Sequence, residues 1–211
     1  MTKPRFRGVS HLIAFGVSLL SGPLLVVAAP TLSARLAVGV YGVCLSGLFG
    51  VSALYHRPTW SPAWRHWLRR LDHATIFLAI SGTYTAVAGL ILPPEQTRLW
   101  LTLVWCGALA GAALQFVGGG ATRWLAAGPY LVLGWVGIAL LPQLIDRLGS
   151  IGFGLVLSGA LLYTLGALVY ARRRPDPRPT VFGYHEVFHL LVIAAAAAHY
   201  AAVAGFVLPR L

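Results

Sequence analysis

Long apolar blocks separated by short stretches of breakers and charges dominate this chain. Seven blocks of about 20 residues each, enough for a helix to cross a bilayer, run Val9–Ala29, Leu36–His56, Leu71–Leu92, Leu99–Gly118, Trp124–Leu144, Ile151–Tyr170 and His185–Leu208. Between them lie Pro30, Pro58, Pro93-Pro94, Gly118-Gly119-Gly120, Asp146-Arg147 and the run from Arg172 to Pro179. Pro129 and Pro142 interrupt the fifth block, and an even number of spans follows if that block fails to cross. The pattern predicts an all-α fold, a seven-transmembrane helix bundle forming a single membrane domain over residues 1–211. In lipid the backbone must satisfy its own hydrogen bonds, which leaves the helix as the natural reading of each block.

The first block resembles a signal peptide, with Lys3, Arg5 and Arg7 ahead of it and Val27-Ala28-Ala29 at its end. It is longer than the roughly 7–15 residues of a signal-peptide core, and Pro30 follows the would-be cleavage site, so a retained first span is expected.

Composition agrees: 58% of the residues are hydrophobic and 10% charged, against about 25% charged in soluble domains. The net charge of +11 does not signal nucleic acid, because the arginines sit in short runs between apolar blocks, as topology signals do. Lys3, Arg5, Arg7, Arg57, Arg65, Arg69, Arg70, Arg123, Arg172, Arg173, Arg174 and Arg178 fall on the side of the N-terminus. Arg35, Arg98, Arg147 and Arg210 fall on the other. The asymmetry predicts a cytoplasmic N-terminus and, with seven spans, a C-terminus outside, in a cell membrane and most simply a bacterial inner membrane. Cys44 and Cys106 lie within apolar blocks and read as small buried residues.

Two connections carry further signals. Ser61-Pro62 has the form of an N-cap followed by proline at the first helical position. Trp60, Trp64 and Trp67 then alternate with Arg65, His66, Arg69 and Arg70, which predicts a short interfacial helix at headgroup level. The run from Arg172 to Pro179 predicts a stiff basic strap on the cytoplasmic face.

The chemistry concentrates at helix ends. His185 and His189 stand four residues apart at the head of the last block, on one helical face and about 6 Å apart along the axis. Ser52 and His56 end the second block with the same spacing, and Asp72-His73 begin the third. In the predicted topology all of these ends lie at the cytoplasmic side. Ionisable groups inside spans are costly and by default mark function. His56, His185 and His189 are therefore expected to hold Zn²⁺, leaving a fourth position open, the pattern of catalytic rather than structural zinc sites. Asp72 is suited to accept or aim the proton of a water at that position, and Ser52 to hydrogen-bond near it. Asp72 rather than His73 is expected to face the metal, since the two point about 100° apart. His73 reads as a packing and hydrogen-bonding neighbour. Glu186 is expected to face the cytoplasm, and His11 to stand no closer than a supporting position.

His185 and His199, about 21 Å apart along the axis, invite a pair of haems, but no second helix repeats their spacing. A retinal Schiff base needs a lysine in the core, and the only lysine is Lys3.

Through Ser52-Ala53-Leu54-Tyr55-His56, Leu71-Asp72-His73 with Ser81-Gly82-Thr83-Tyr84-Thr85, and His185-Glu186-Val187-Phe188-His189, the sequence resembles the hemolysin III family, the bacterial branch of the progestin and adipoQ receptor superfamily. The resemblance implies a seven-helix bundle with its N-terminus inside and zinc on His56, His185 and His189, with Asp72 and Ser52 beside it. It also implies kinship with lipid amidases acting on ceramides and with receptors of such activity. The chain departs from the family at Ala86, where a proline is common, and ahead of His11, where an acidic residue is common.

These observations predict a zinc-dependent intramembrane hydrolase of a lipid amide or ester, with membrane lipids as its surroundings and a lipid as its substrate. The alternatives are a non-enzymatic receptor or membrane-regulatory protein braced by structural zinc and, third, a pore-forming hemolysin. A pore needs a polar stripe along a helix, which none of the blocks carries. The sequence carries no signal of oligomeric state.

Overall fold

A computed structural model describes residues 3–117 and 123–211. The Gly118-Gly119-Gly120 breaker, and with it the expected end of the fourth span, lies outside the described residues. The fold is all-helical: α1 Val9–Ala28, α2 Leu32–His56, α3 Pro62–Ile91, α4 Pro94–Val117, α5 Arg123–Trp135, α6 Leu141–Arg172 and α7 Tyr184–Ala202. Among the described residues, six helical stretches are long and apolar enough to cross a membrane, one of them the 45 residues from Gly128 to Arg172 that contain most of α5 and all of α6.

That long stretch is folded in two. Laid straight it would measure about 68 Å, more than twice the roughly 30 Å of a hydrocarbon core. Gly149 breaks it with φ 71° and ψ 175°, a conformation natural to glycine. Trp135 Nε1 donates to Thr164 Oγ1 at 2.9 Å across 29 positions, which a straight helix would hold about 43 Å apart. The break thus comes a few residues after Asp146-Arg147. Residues Val136–Leu140 form a 3₁₀ turn between α5 and α6. Tyr84 of α3 services this irregularity: its hydroxyl donates to the Gly134 carbonyl at 2.9 Å and accepts the Gly137 N–H at 2.7 Å.

The tryptophan-arginine segment is not a separate surface helix. Ser61 caps Trp64 N–H as its sequence suggests, but the helix it starts runs unbroken to Ile91. Nothing between Arg69 and Ala74 breaks helix, and 30 residues make about 45 Å, so the first turns project beyond the apolar slab. Trp64 and Trp67 remain exposed there. At the far end of the chain α7 loosens into a π turn at Val203–Val207 and a 3₁₀ turn at Leu208–Arg210.

The bundle is held by apolar packing and by close backbone approach. One cluster joins Leu25, Tyr41, Phe49, Val87, Leu148 and Val203, and a smaller one sets Phe77 against Val104, Ala108 and Leu133. A Cβ on Gly82 would stand 2.8 Å from Cys44 Cβ, and one on Gly42 would stand 3.3 Å from Gly22 Cα; small residues let these helices touch. The outer surface is itself apolar, with Leu20, Val27, Leu32 and Val43 all exposed, as lipid contact requires. Cys44 is half-buried, whereas Cys106 lies on the exposed surface rather than in the core.

Candidate metal centre

Two helix ends meet at one place. His56 closes α2, and His185 and His189 occupy the first turns of α7. Each offers a ring nitrogen, and the three atoms lie within 4.8 Å of one another. His56 Nε2 and His185 Nε2 are 3.1 Å apart. Tetrahedral zinc, with Zn–N near 2.05 Å, would place two such nitrogens about 3.3 Å apart. His189 is 1% exposed, and its Nδ1 has no hydrogen-bond partner. An orphaned polar atom at this depth calls for an ion or water. Three imidazoles at this spacing suit zinc by softness and geometry, so the residues present fit a divalent cation.

Asp72 stands at the edge of this triad. Its Oδ2 is 4.0 Å from His56 Nε2 and 3.8 Å from His73 Nδ1, and Ser52 is in hydrogen-bonding contact with its carboxyl. His73 turns its Nδ1 to the Arg69 carbonyl at 2.7 Å, a local tie within α3. The five residues singled out from sequence thus come together: three imidazoles, one carboxylate and the hydroxyl beside it.

Two neighbours carry more than the sequence indicates. His11 of α1, 2% exposed, stacks face to face on His189 with centroids 3.7 Å apart and an interplanar angle of 5°. Its other flank meets the Phe49 edge at 5.2 Å. Glu186 does not face the cytoplasm. It is 2% exposed, accepts the Gly183 N–H at 2.7 Å through Oε2 and pairs through Oε1 with Arg7 Nε. The cause is the N-terminal segment, which crosses over the head of α7: Arg5 and Phe6 donate backbone N–H groups to Thr180 and Val181. Gly8 lies so close to α2 that a Cβ there would stand 2.7 Å from His56 Cβ. Lys3 extends the arm to the Arg57 carbonyl at 2.7 Å; burial, then the cations Arg57, Arg65 and Arg7, hold its ammonium below the ordinary lysine range. The one signal of this arrangement in the sequence is Glu186 itself, three residues after Gly183, where a carboxylate can cap its own helix.

From the triad a cavity of about 150 Å³ runs into the bundle. Asp72, His185 and His189 stand at one end, Tyr84, Trp135 and His199 at the other, and Ile76, Ile80, Leu131, Phe188 and Val192 make its wall largely apolar. The arrangement joins a cation-binding triad and a carboxylate to a space that suits a hydrocarbon chain.

Comparison with known proteins agrees with these motifs. Residues 1–200 match the family described as Haemolysin-III related. The chain is similar to Hemolysin-3 of Bacillus cereus, 31% identical over 183 residues that cover 85% of this chain and 78% of that protein. It is also similar to the Hemolysin-3 homolog of Bacillus subtilis strain 168, 30% identical over 162 residues, 75% of this chain and 71% of the relative. A shorter likeness, 34% over 91 residues, links 38% of the chain to 20% of an adiponectin receptor protein of Drosophila melanogaster.

Proposed function

The chain belongs to the Haemolysin-III related family, and from that premise we propose that it is a zinc-dependent hydrolase of a lipid amide or ester, working within the cell membrane, a bacterial inner membrane. The observation that carries this reading is the three-imidazole group with Asp72 beside it, opening onto an apolar cavity. The bundle crosses seven times, with its N-terminus in the cytoplasm and its C-terminus outside. The fold-back at Gly149 supports two crossings in the longest helical stretch, and the distribution of arginines supports the orientation.

His56, His185 and His189 would hold the cation. When bound, zinc supplies a Lewis acid that polarises an oxygen ligand and eases the ionisation of water. The chain's own groups do the rest. Asp72 holds or takes up a proton at Oδ2, within reach of the triad's open side, and Ser52 fixes the orientation of that carboxyl. The apolar wall binds the acyl chain and limits bulk water. His11, flat against His189, fixes the rotation of that ring, and the Arg7–Glu186 pair fixes the helix turn that carries both α7 ligands.

A second reading has an observation of its own. The same imidazoles tie the end of α2 to the head of α7, so zinc also suits a brace in a receptor or regulatory protein without turnover. One comparison separates the two. Metal analysis should find about one zinc per chain in wild type and in Asp72→Ala, and loss of it in His185→Ala and His189→Ala. On a panel of acyl amides and esters, Asp72→Ala should lose at least a hundredfold in turnover. A zinc-loaded wild type that cleaves nothing in the panel, and melts far lower once stripped by chelator, favours the brace.

A further inference from the structure

The cavity that starts at the triad does not run on without interruption. A second cavity of about 90 Å³ lies beyond its inner end, toward Leu140 and Leu144. Thr83, Tyr84, Gly134, Trp135, Ala160 and His199 line both, so these residues stand where the two meet. The bulk there comes from three rings on three helices: Tyr84 of α3, Trp135 at the end of α5 and His199 of α7.

Each ring is pinned by a hydrogen bond to a neighbouring element. The Tyr84 hydroxyl donates to the Gly134 carbonyl and accepts the Gly137 N–H. Trp135 Nε1 donates to Thr164 Oγ1 of α6, and His199 Nε2 donates to the Val156 carbonyl of the same helix at 3.0 Å. Glycines make the places for two of them: a Cβ at Gly137 would stand 2.5 Å from Tyr84 Oη, and one at Gly159 would overlap the His199 ring. Swinging any of the rings away breaks its bond and leaves a polar group without a partner. Behind them the wall is apolar, with Val87, Leu140, Leu144 and Leu157. Protein interiors close-pack and keep few voids, so packing alone does not account for an apolar space held behind three fixed rings.

We propose that Tyr84, Trp135 and His199 form an end-stop that sets the length of acyl chain the first cavity takes, which rests on the reading of that cavity as an acyl-chain site. By helical rise His199 stands about 15 Å beyond His189 on α7, and Tyr84 about 18 Å beyond Asp72 on α3. A saturated chain, with bonds of about 1.5 Å at about 111°, advances about 1.25 Å per carbon. The space from the metal centre to the rings therefore suits a chain of about 12–14 carbons, and the ligand class is a lipid with an acyl chain of medium length. The second cavity follows α3 from Tyr84 to Ala88, about 6 Å more, or about 4–5 further carbons. A longer chain reaches that space only by displacing a ring.

The test is displacement of radiolabelled dodecanoate from the purified full-length protein in detergent by decanoate, tetradecanoate and octadecanoate. In micelles a methylene that fits the cavity changes affinity little, whereas a chain too long for it is penalised. Wild type should bind tetradecanoate at least tenfold more tightly than octadecanoate. In His199→Ala, which removes one ring and joins the two cavities, the acids should bind within about threefold of one another. Ala160→Leu adds bulk where the cavities meet and should move the profile the other way, favouring decanoate over tetradecanoate by about tenfold. Octadecanoate binding to wild type as tightly as tetradecanoate overturns the end-stop and leaves the acyl-chain reading intact, and so does a profile that His199→Ala leaves unchanged. If none of the acids displaces the label, the acyl-chain reading fails and the end-stop with it. The wild-type profile and the opposite shift in Ala160→Leu keep the test decisive if His199→Ala does not fold.

Discussion

Glu186 sits between His185 and His189 in sequence and ties their helix turn to the first residues of the chain. Its carboxylate is buried, with Arg7 on one oxygen and the Gly183 N–H on the other. Removing one partner of a buried pair leaves the other uncompensated, which costs more than the pair itself contributes. Arg7→Leu should therefore lower stability by about 2–4 kcal/mol, read as a fall in Tm, and should weaken zinc retention because the helix turn carrying His185 and His189 loosens. Glu186→Gln should cost less, since an amide oxygen still accepts the Gly183 N–H. Equal Tm values for wild type and Arg7→Leu would remove this role. His11 acts through contact: replacement by alanine opens a ring-sized gap against His189 and should reduce zinc affinity about tenfold, whereas phenylalanine preserves the stack and most of the affinity, by competition with a chelator. The three imidazoles that could hold a metal ion, and Asp72 beside them, were singled out from sequence because helix-end position and four-residue spacing are local properties. Glu186 and His11 were not, since what they touch, Arg7 and His189, lies on elements far away in the chain.

At the scale of elements, the breakers place the helices better than the apolar blocks do. Pro94 opens α4 and Ser61-Pro62 opens α3, but the polar first turns of α3 fall outside any hydropathy block and were separated from the span they continue. The opposite error arises at Gly149. Asp146 and Arg147 interrupt the hydropathy, yet helix continues through them, because charged residues tolerate helical backbone and glycine at positive φ does not. Close packing is readable only once neighbours are known. Gly82→Ala forces a methyl to within 2.8 Å of Cys44 Cβ and 3.3 Å of Tyr41 Cα, and should destabilise the α2–α3 pair by about 1–3 kcal/mol. Gly154→Ala, with no atom within 4 Å of the added carbon, should leave the Tm unchanged or slightly raised. Thermal unfolding in detergent of the two variants side by side checks both.

The whole molecule is a bundle whose outer face is apolar and whose charges gather at helix ends. The proposed seven crossings put Arg65 and Asp146 on opposite sides of the membrane. In a variant lacking Cys44 and Cys106, a cysteine at position 65 should react with an impermeant thiol reagent only from the cytoplasmic side, and one at 146 only from the other. Labelling of both from one side rules out the seven-span topology. Membrane character, the approximate spans, the predicted orientation and the identity of the candidate ligands came from the sequence alone. In lipid each backbone segment must satisfy its own hydrogen bonds, so length, apolarity and breakers settle helices locally. The tertiary structure decided the rotation of each helix about its axis. That rotation brings His11 onto His189, Arg7 onto Glu186 and His199 to the end of the cavity, and folds Trp135 back to Thr164. It depends on which small residues let which backbones approach, a property of pairs of helices that no single stretch of sequence contains.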